Sequence, residues 1–395
     1  MSTPDSALTP GTSSTPGTPS TPGTASTPRT VSAGEEAATA SPPVAAPGPQ
    51  TAGQVRVRRA TRTSWVGLGL AVPVLVGLAM APYLIDRGTQ QSLVILFSLI
   101  VIGTMWNLLA GYAGLVSIGQ QAYIGIGAYG LVYLADTMGL DPFLAVPLVV
   151  LFAGLASVPV SFLAFRLSGG YFAIGTWVIA EVIRLLTEQV DLLGGGSGIT
   201  LSAFSGLTPG RRIAYVYWLS LFAVVAAVAV TYLVMRSRWG LGFTAIRDDA
   251  VAAESHGVHV MRSRRLVFVI AAMGCALAGS MIAANTLRVQ GDSVYSWQYS
   301  ASMIFIVVIG GIGTIEGPIV GAVVFFALQQ WLSDLGTWYL VILGLVSIAV
   351  TLFLPRGLWG LISGNGRIRL FPVGYRLLVP LPTAVARADR TGDAG

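Results

Sequence analysis

Ten apolar stretches follow one another between residues 65 and 354. They lie at 65–85, 90–111, 114–136, 143–165, 170–190, 215–235, 266–287, 300–313, 317–333 and 338–354. About 20 mainly apolar residues cross the hydrocarbon of a bilayer as one helix. Backbone polar groups find no water there, so a spanning segment that is not a closed barrel must be helical. This pattern predicts an all-α polytopic membrane protein of eight to ten crossings. Ten is the full count. Eight applies if 300–333 forms a re-entrant pair of half-helices, because 300–313 is under length and Gly310, Gly311, Gly313, Gly317 and Pro318 interrupt the region.

Charge supports the same class. Of 395 residues, 10% are charged and 54% hydrophobic, whereas a soluble domain carries about 25% charge. Every one of the 23 basic residues is arginine. Without lysine there is no Walker A phosphate loop and no Schiff-base lysine. The net charge of +6 is not gathered on one soluble face, so it does not predict nucleic-acid binding. A single cysteine, Cys275, excludes an intramolecular disulfide. His256 and His259 have no obvious third ligand, so no metal site is expected.

The arginines also predict orientation. Basic residues near helix ends favour the cytoplasmic side. Arg56, Arg58, Arg59 and Arg62 precede the first stretch, while Arg236, Arg238, Arg247, Arg262, Arg264 and Arg265 fill one loop. Arg356, Arg367 and Arg369 follow the last stretch. Even numbers of crossings separate these groups, so all three are expected inside, with both termini. Arg211 and Arg212 fall outside, against the rule. The predicted organisation is a disordered Ser/Thr/Pro/Gly-rich cytoplasmic tail over 1–62, a transmembrane domain over 63–358 and a cytoplasmic tail over 359–395. Within the domain, 236–265 is a cytoplasmic loop. The external loop 191–214 is either a flexible connector or a contact for an outside partner.

Several blocks stand out. NLLAGYAGLVSIGQQAYIGIGAYG at 107–130 mixes glycines with Asn107, Ser117, Gln120 and Gln121. Small residues allow close helix packing, and polar groups at depth need partners or a water-lined path. Packing and passage both remain open on this pattern alone. A second block, IGGIGTIEGPIVG at 309–321, shares the G-x-x-G spacing, with Gly111 and Gly114 set against Gly310 and Gly313. Its Glu316 is either an intramembrane functional carboxylate or a residue of a water-exposed turn, and the turn is the expected place. Glu181 and Arg184 stand i, i+3 on one helix face, as a structural ion pair or a polar element near a path. Asp249–His256 reads as a short helix capped by Asp248 or Asp249 and ended by Gly257.

Taken in order, these blocks resemble the M-type permease subunits of branched-chain amino-acid ABC importers. The motifs that carry the resemblance are 107–130, GGYFAIGTWVIAEVIRLL at 169–186, GGGSGIT at 194–200, SRWGLGFTAIRDDAVAAESHGVHVMRSRRLVFVIAA at 237–272 and VVIGGIGTIEGPIVGA at 307–322. The resemblance implies a transport permease subunit in the bacterial cell membrane, with no catalytic residue and no cofactor of its own. ATP would be bound by two cytoplasmic ATPase subunits. A second homologous permease and an external substrate-binding protein would complete the assembly, with membrane lipid around it. Ala252-Ala253-x-x-x-Gly257 resembles the EAA---G coupling motif, with Val251 in place of the usual glutamate. Gly240, Ala245, Arg247, Asp248, Ala252, Ala253 and Gly257 would then receive the ATPase stroke. Asn107, Gly111, Tyr112, Gly114, Ser117, Gly119, Glu181, Arg184, Gly310, Gly311 and Gly313 would belong to the passage. The implied cargo is leucine, isoleucine and valine. Urea and small-amide carriers of the same family, or an ion-coupled secondary transporter, are the alternatives.

Overall fold

The computed structural model describes residues 56–58, 62–332, 336, 338–354, 357–363 and 376–378. Most of the two expected tails lies outside these residues. Two strands do fall within them: β1 (Arg56–Arg58) pairs antiparallel with β4 (Arg376–Leu378).

Each of the ten apolar stretches contains a helix. These are α1 (Arg62–Leu84), α2 (Arg87–Asn107), α3 (Gln121–Val132), α4 (Pro142–Ala164) and α5 (Gly170–Glu188). They continue as α6 (Pro209–Arg236), α9 (Val260–Thr286), α11 (Trp297–Gly310), α12 (Gly317–Leu332) and α13 (Trp338–Phe353). Shorter helices are α7 (Arg238–Asp248), α8 (Ala250–Ser255), α10 (Gly291–Val294) and α14 (Gly357–Ile362). Seven helical segments among the described residues are long and apolar enough to cross a membrane, and Ala71–Leu84 and Gly317–Leu332 are shorter apolar helices.

Local sequence explains the starts. Asp86 caps α2 by accepting from Thr89 N at 3.0 Å. Asp141 caps α4 by accepting from Phe143 N at 2.8 Å, with Pro142 in the first turn, where a missing N–H costs nothing. Along α4, Leu144, Leu148, Leu151, Phe152, Leu155 and Phe162 are exposed. Their i, i+3, i+4 spacing makes one continuous apolar face, as a lipid-facing helix requires.

The centre is α9, packed against α2, α3, α4 and α6. Its buried side is mostly small residues, among them Ala271, Ala272, Cys275, Ala276, Gly279 and Ala283, with Val267, Phe268 and Met281 as larger members. Small side chains let helix backbones touch. A methyl group on Gly279 would strike the Ile124 carbonyl, and one on Gly127 the Ala276 carbonyl. The Ser280 hydroxyl donates to Gly127 O at 3.0 Å and ties the crossing.

Contacts at helix ends sort the bundle into two ends. At one end β2 (Ile199–Thr200) pairs with β3 (Arg288–Val289), Asp136 accepts from Ser202 N, and Tyr217 donates to Leu78 O. At the other end lie α7 and α8, with Arg265 over the Phe162 ring. The element α11 follows Tyr295, which meets Thr187 at the β2–β3 end. It finishes beside Gly111 at the α7 end. So α11 runs between the two ends, and α12 packs back along it. Both are short, with 14 and 16 residues.

Two expectations need correction. The stretch 114–136 is not helical throughout: 113–120 is a link, α3 starts at Gln121, and a wide π turn, Tyr133–Thr137, closes it. The loop 236–265 holds two helices rather than one, because Ser237 opens α7 before Asp249 opens α8.

Candidate functional site

The helix read from sequence at Asp249–His256 appears as α8. Its cap is Asp249, whose carboxylate accepts from Val251 N at 2.8 Å and Ala252 N at 3.1 Å. Gly257, with φ +82°, ends it in the left-handed conformation that glycine adopts without strain. Gly240, Phe243, Ile246 and Ala253 face inward, and Ala245 is half-buried. Asp248, Ala252 and Gly257 are exposed. Leu241 and Val251 stand out at 55% and 80% exposure. Thus the position without the motif's glutamate presents an apolar side chain to the outside. Leu241 belongs to α7 and Val251 to α8, so each helix of this loop carries one exposed apolar side chain.

Arg247 joins this element to the bundle. Its Nη1 donates to Gly111 O at 2.9 Å, while Asp248 Oδ1 holds the guanidinium at 3.1 Å. Gly111 lies in a π turn, Leu108–Tyr112, that ends α2. The last carbonyls of a helix lack intrahelical donors and carry partial negative charge, so a guanidinium there satisfies both needs.

Asn107 completes the joint from the other side. Its Oδ1 accepts from Gly313 N and its Nδ2 donates to Thr314 O, both at 2.8 Å. One buried carboxamide therefore staples the end of α2 to the α11–α12 link. The two G-x-x-G pairs, some 200 residues apart in sequence, meet here. A methyl group on Gly111 would collide with Asn107 Oδ1, and one on Gly310 with the Gly317 carbonyl. Gly114 has φ +70° and packs on Arg247. Gly311 N closes α11 on Val307 O at 2.9 Å. Tyr112 is buried, with Glu316 and Arg247 near enough to act on its phenol electrostatically. Glu316 sits at a turn, as expected, but only 8% exposed rather than in water. The cause is the close return of α12 against α11.

The link 113–120 then turns back into the bundle. Ser117 O accepts from Trp106 Nε1 at 2.8 Å. Ile118 N donates to Thr176 Oγ1 at 3.2 Å, and Ile118 O accepts from Ser300 Oγ at 2.6 Å. Ser300 also bonds Gln121. Gly119 lies so close to the Thr176 carbonyl that no side chain fits. Gln120 is buried, and its Oε1 has no partner. Non-helical backbone is tolerated inside a membrane protein only where protein or a water-filled path receives it. Here side chains from α2, α5 and α11 do so.

Glu181 and Arg184 form the expected ion pair, at 2.5 Å. Arg184 also reaches Glu188 at 2.7 Å and Asp292 at 3.0 Å, so it ties α5 to α10. This group lies at the β2–β3 end, away from the glycine joint. Sequence reading missed Glu188, Asp292, Trp106, Thr176, Ser300 and Thr314. The last four are single polar or aromatic residues in apolar runs, a pattern without periodic signal. Among the described residues, no group of three or more His, Cys, Asp or Glu is placed to hold a metal.

Residues 88–353 match the family described as "Branched-chain amino acid transport system / permease component". The chain belongs to that family. The permease is 28% identical over 316 residues to the high-affinity branched-chain amino acid transport system permease protein LivM of Escherichia coli, covering 73% of this chain and 74% of the relative. LivM of Salmonella typhimurium gives the same identity and coverage. A probable branched-chain amino acid transport permease protein, LivH of Methanocaldococcus jannaschii, is 21% identical over 61% of this chain and 82% of its own length. No solved structure matches the permease. It is thus a multi-pass, ABC-type permease of the branched-chain amino-acid class, related to transport subunits rather than enzymes.

Proposed function

We propose that the permease forms the membrane path by which leucine, isoleucine and valine enter a bacterial cell, and that two separate ATPase subunits drive it through α7 and α8. In this reading the α7 end is cytoplasmic, with both chain termini. A second homologous permease lies beside it in the membrane. An external substrate-binding protein delivers cargo at the β2–β3 end, where 191–214 lies.

The observation that carries the reading is the Arg247–Gly111 hydrogen bond of 2.9 Å. It connects an exposed docking element to an interrupted helix. A partner that displaces α7 pulls on Gly111, and Asn107 passes the displacement to Gly313 and Thr314. Three interrupted segments then shift together: the π turn, the 113–120 link and the 311–316 link. Leu241 and Val251 supply apolar anchors for the docked subunit, in the way buried apolar anchors dominate protein interfaces.

The test is Arg247→Ala in the assembled transporter. Leucine uptake into vesicles should fall at least tenfold while ATP hydrolysis by the partner subunits continues. Uptake and hydrolysis that remain in their original ratio would overturn the coupling role.

A further inference from the structure

A cavity of about 150 Å³ opens between α2, α9 and α11. Its wall is aliphatic, formed by Leu99 and Ile102 of α2 and Ile282 of α9. Ser98 on the α2 wall turns its hydroxyl to Val94 O at 2.9 Å, while Asn285 and Thr286, the last residues of α9, and Tyr299 of α11 stand at one side. That side belongs to the β2–β3 end, since β3 begins two residues after Thr286. Along α2 the lining runs from Val94 to Ile102, eight residues or roughly 12 Å at 1.5 Å per residue. The cavity therefore runs from a polar mouth to an aliphatic floor.

Its chemistry selects a ligand class. None of the lining side chains is charged, so a ligand whose buried part carries net charge would lose hydration without compensation. An apolar cavity of about 150 Å³ takes a group the size of benzene, and four-carbon branched side chains are smaller than that ring. Thr286 is already engaged with Ile282 O and Arg288 O. Asn285 Nδ2 donates one N–H to Gln91 O at 3.5 Å, which leaves its other N–H for a carboxylate and its carbonyl oxygen for an ammonium at the mouth. Tyr299 precedes Ser300, whose hydroxyl holds the Ile118 carbonyl of the interrupted link. A ligand seated here touches the element next to that link.

We propose that this cavity receives the branched aliphatic side chain of the transported amino acid, with its zwitterionic end at Asn285. The proposal rests on the reading that the permease carries branched-chain amino acids, and it places discrimination within the permease itself. One methylene more or less in an apolar pocket changes selection by about 10–200-fold.

The experiment uses cysteine accessibility. The native Cys275 is buried and is replaced in a Cys275→Ala background. Ser98→Cys on α2 and Ile282→Cys on α9 then each place a thiol on the cavity lining, each in the full transporter with its partners in vesicles. A small methanethiosulfonate reagent should modify either thiol several-fold more slowly with millimolar leucine than without it, and glutamate should give no protection. If one variant fails to assemble, the other carries the same reading. Equal rates with and without leucine would give the cavity to a lipid chain and overturn the proposal. Leucine accumulation by the unsubstituted transporter is measured in parallel. Accumulation without protection overturns the cavity alone, whereas no accumulation overturns the function on which it rests.

Discussion

Arginine cross-links both ends of the bundle, but with different partners. At the α7 end Arg247 holds a backbone carbonyl, Gly111 O. At the β2–β3 end Arg184 holds three carboxylates, from Glu181, Glu188 and Asp292. A carbonyl in a helix turn has one position, set by the backbone. Three flexible carboxylates can exchange and share one guanidinium. The first arrangement transmits position, and the second supplies attraction that survives small movements. The joint at the α7 end should therefore fail sharply when altered, and the cluster at the β2–β3 end should fail gradually.

The largest effect is expected from Gly111→Val. Its side chain would meet the Asn107 carboxamide and the Gly313 backbone N together; the carboxamide is held by its two hydrogen bonds, and the backbone cannot retreat in a packed joint. Overpacking of this kind costs about 1–3 kcal/mol or more. Thermal unfolding of the purified permease should drop and leucine uptake should vanish. A variant with unchanged uptake would show that the joint is loose rather than stapled.

Asn107→Ala should come next. It removes two hydrogen bonds and leaves Gly313 N and Thr314 O without their partner. A buried group left unsatisfied costs about 1–3 kcal/mol. Water entering the space of the lost side chain would soften the effect, so the loss of stability should be smaller than for Gly111→Val. Uptake should still fall more than tenfold, because the link between the two glycine blocks is gone.

The two glycine blocks show what the sequence makes legible. Their matching G-x-x-G spacing could be read directly, and so could the α8 helix, whose cap and terminator are local signals. That the blocks touch could not be read, since Asn107 and Gly313 are 206 residues apart and no periodicity links them. The broken helix at 113–120 was hidden for another reason. Its residues are as apolar and small as those of a spanning helix, and hydropathy does not register that Thr176, Ser300 and Trp106 bond the backbone in place of a helical turn. Arg184 shows an intermediate case. Its i, i+3 partner could be read from spacing, but Asp292 comes from α10, 108 residues away.

A smaller effect belongs to Asp249→Ala. The cap accepts from Val251 N and Ala252 N, and loss of a cap costs about 1 kcal/mol. Because α8 has six residues and little packing of its own, the loss should fray it locally without unfolding the bundle. Hydrogen exchange at 250–255 should speed up while the melting temperature hardly moves. Uptake should fall a few-fold, through weaker docking of the partner on Val251.

The smallest effect is expected from Asp292→Asn. The Asp292 side chain is 78% exposed, and ion pairs so open to water contribute about 0–1 kcal/mol. Glu181 and Glu188 remain to hold Arg184, so the guanidinium keeps two carboxylate partners. What changes is the tie between α5 and α10, which becomes a weaker amide contact. Wild-type uptake should show a modest dependence on ionic strength from this pair, since exposed charges are screened over about 8 Å at 0.15 M salt. The variant should lose that dependence and otherwise transport within about twofold of wild type. A tenfold loss instead would mean that Arg184, like Arg247, transmits position, and the contrast between the two ends would collapse.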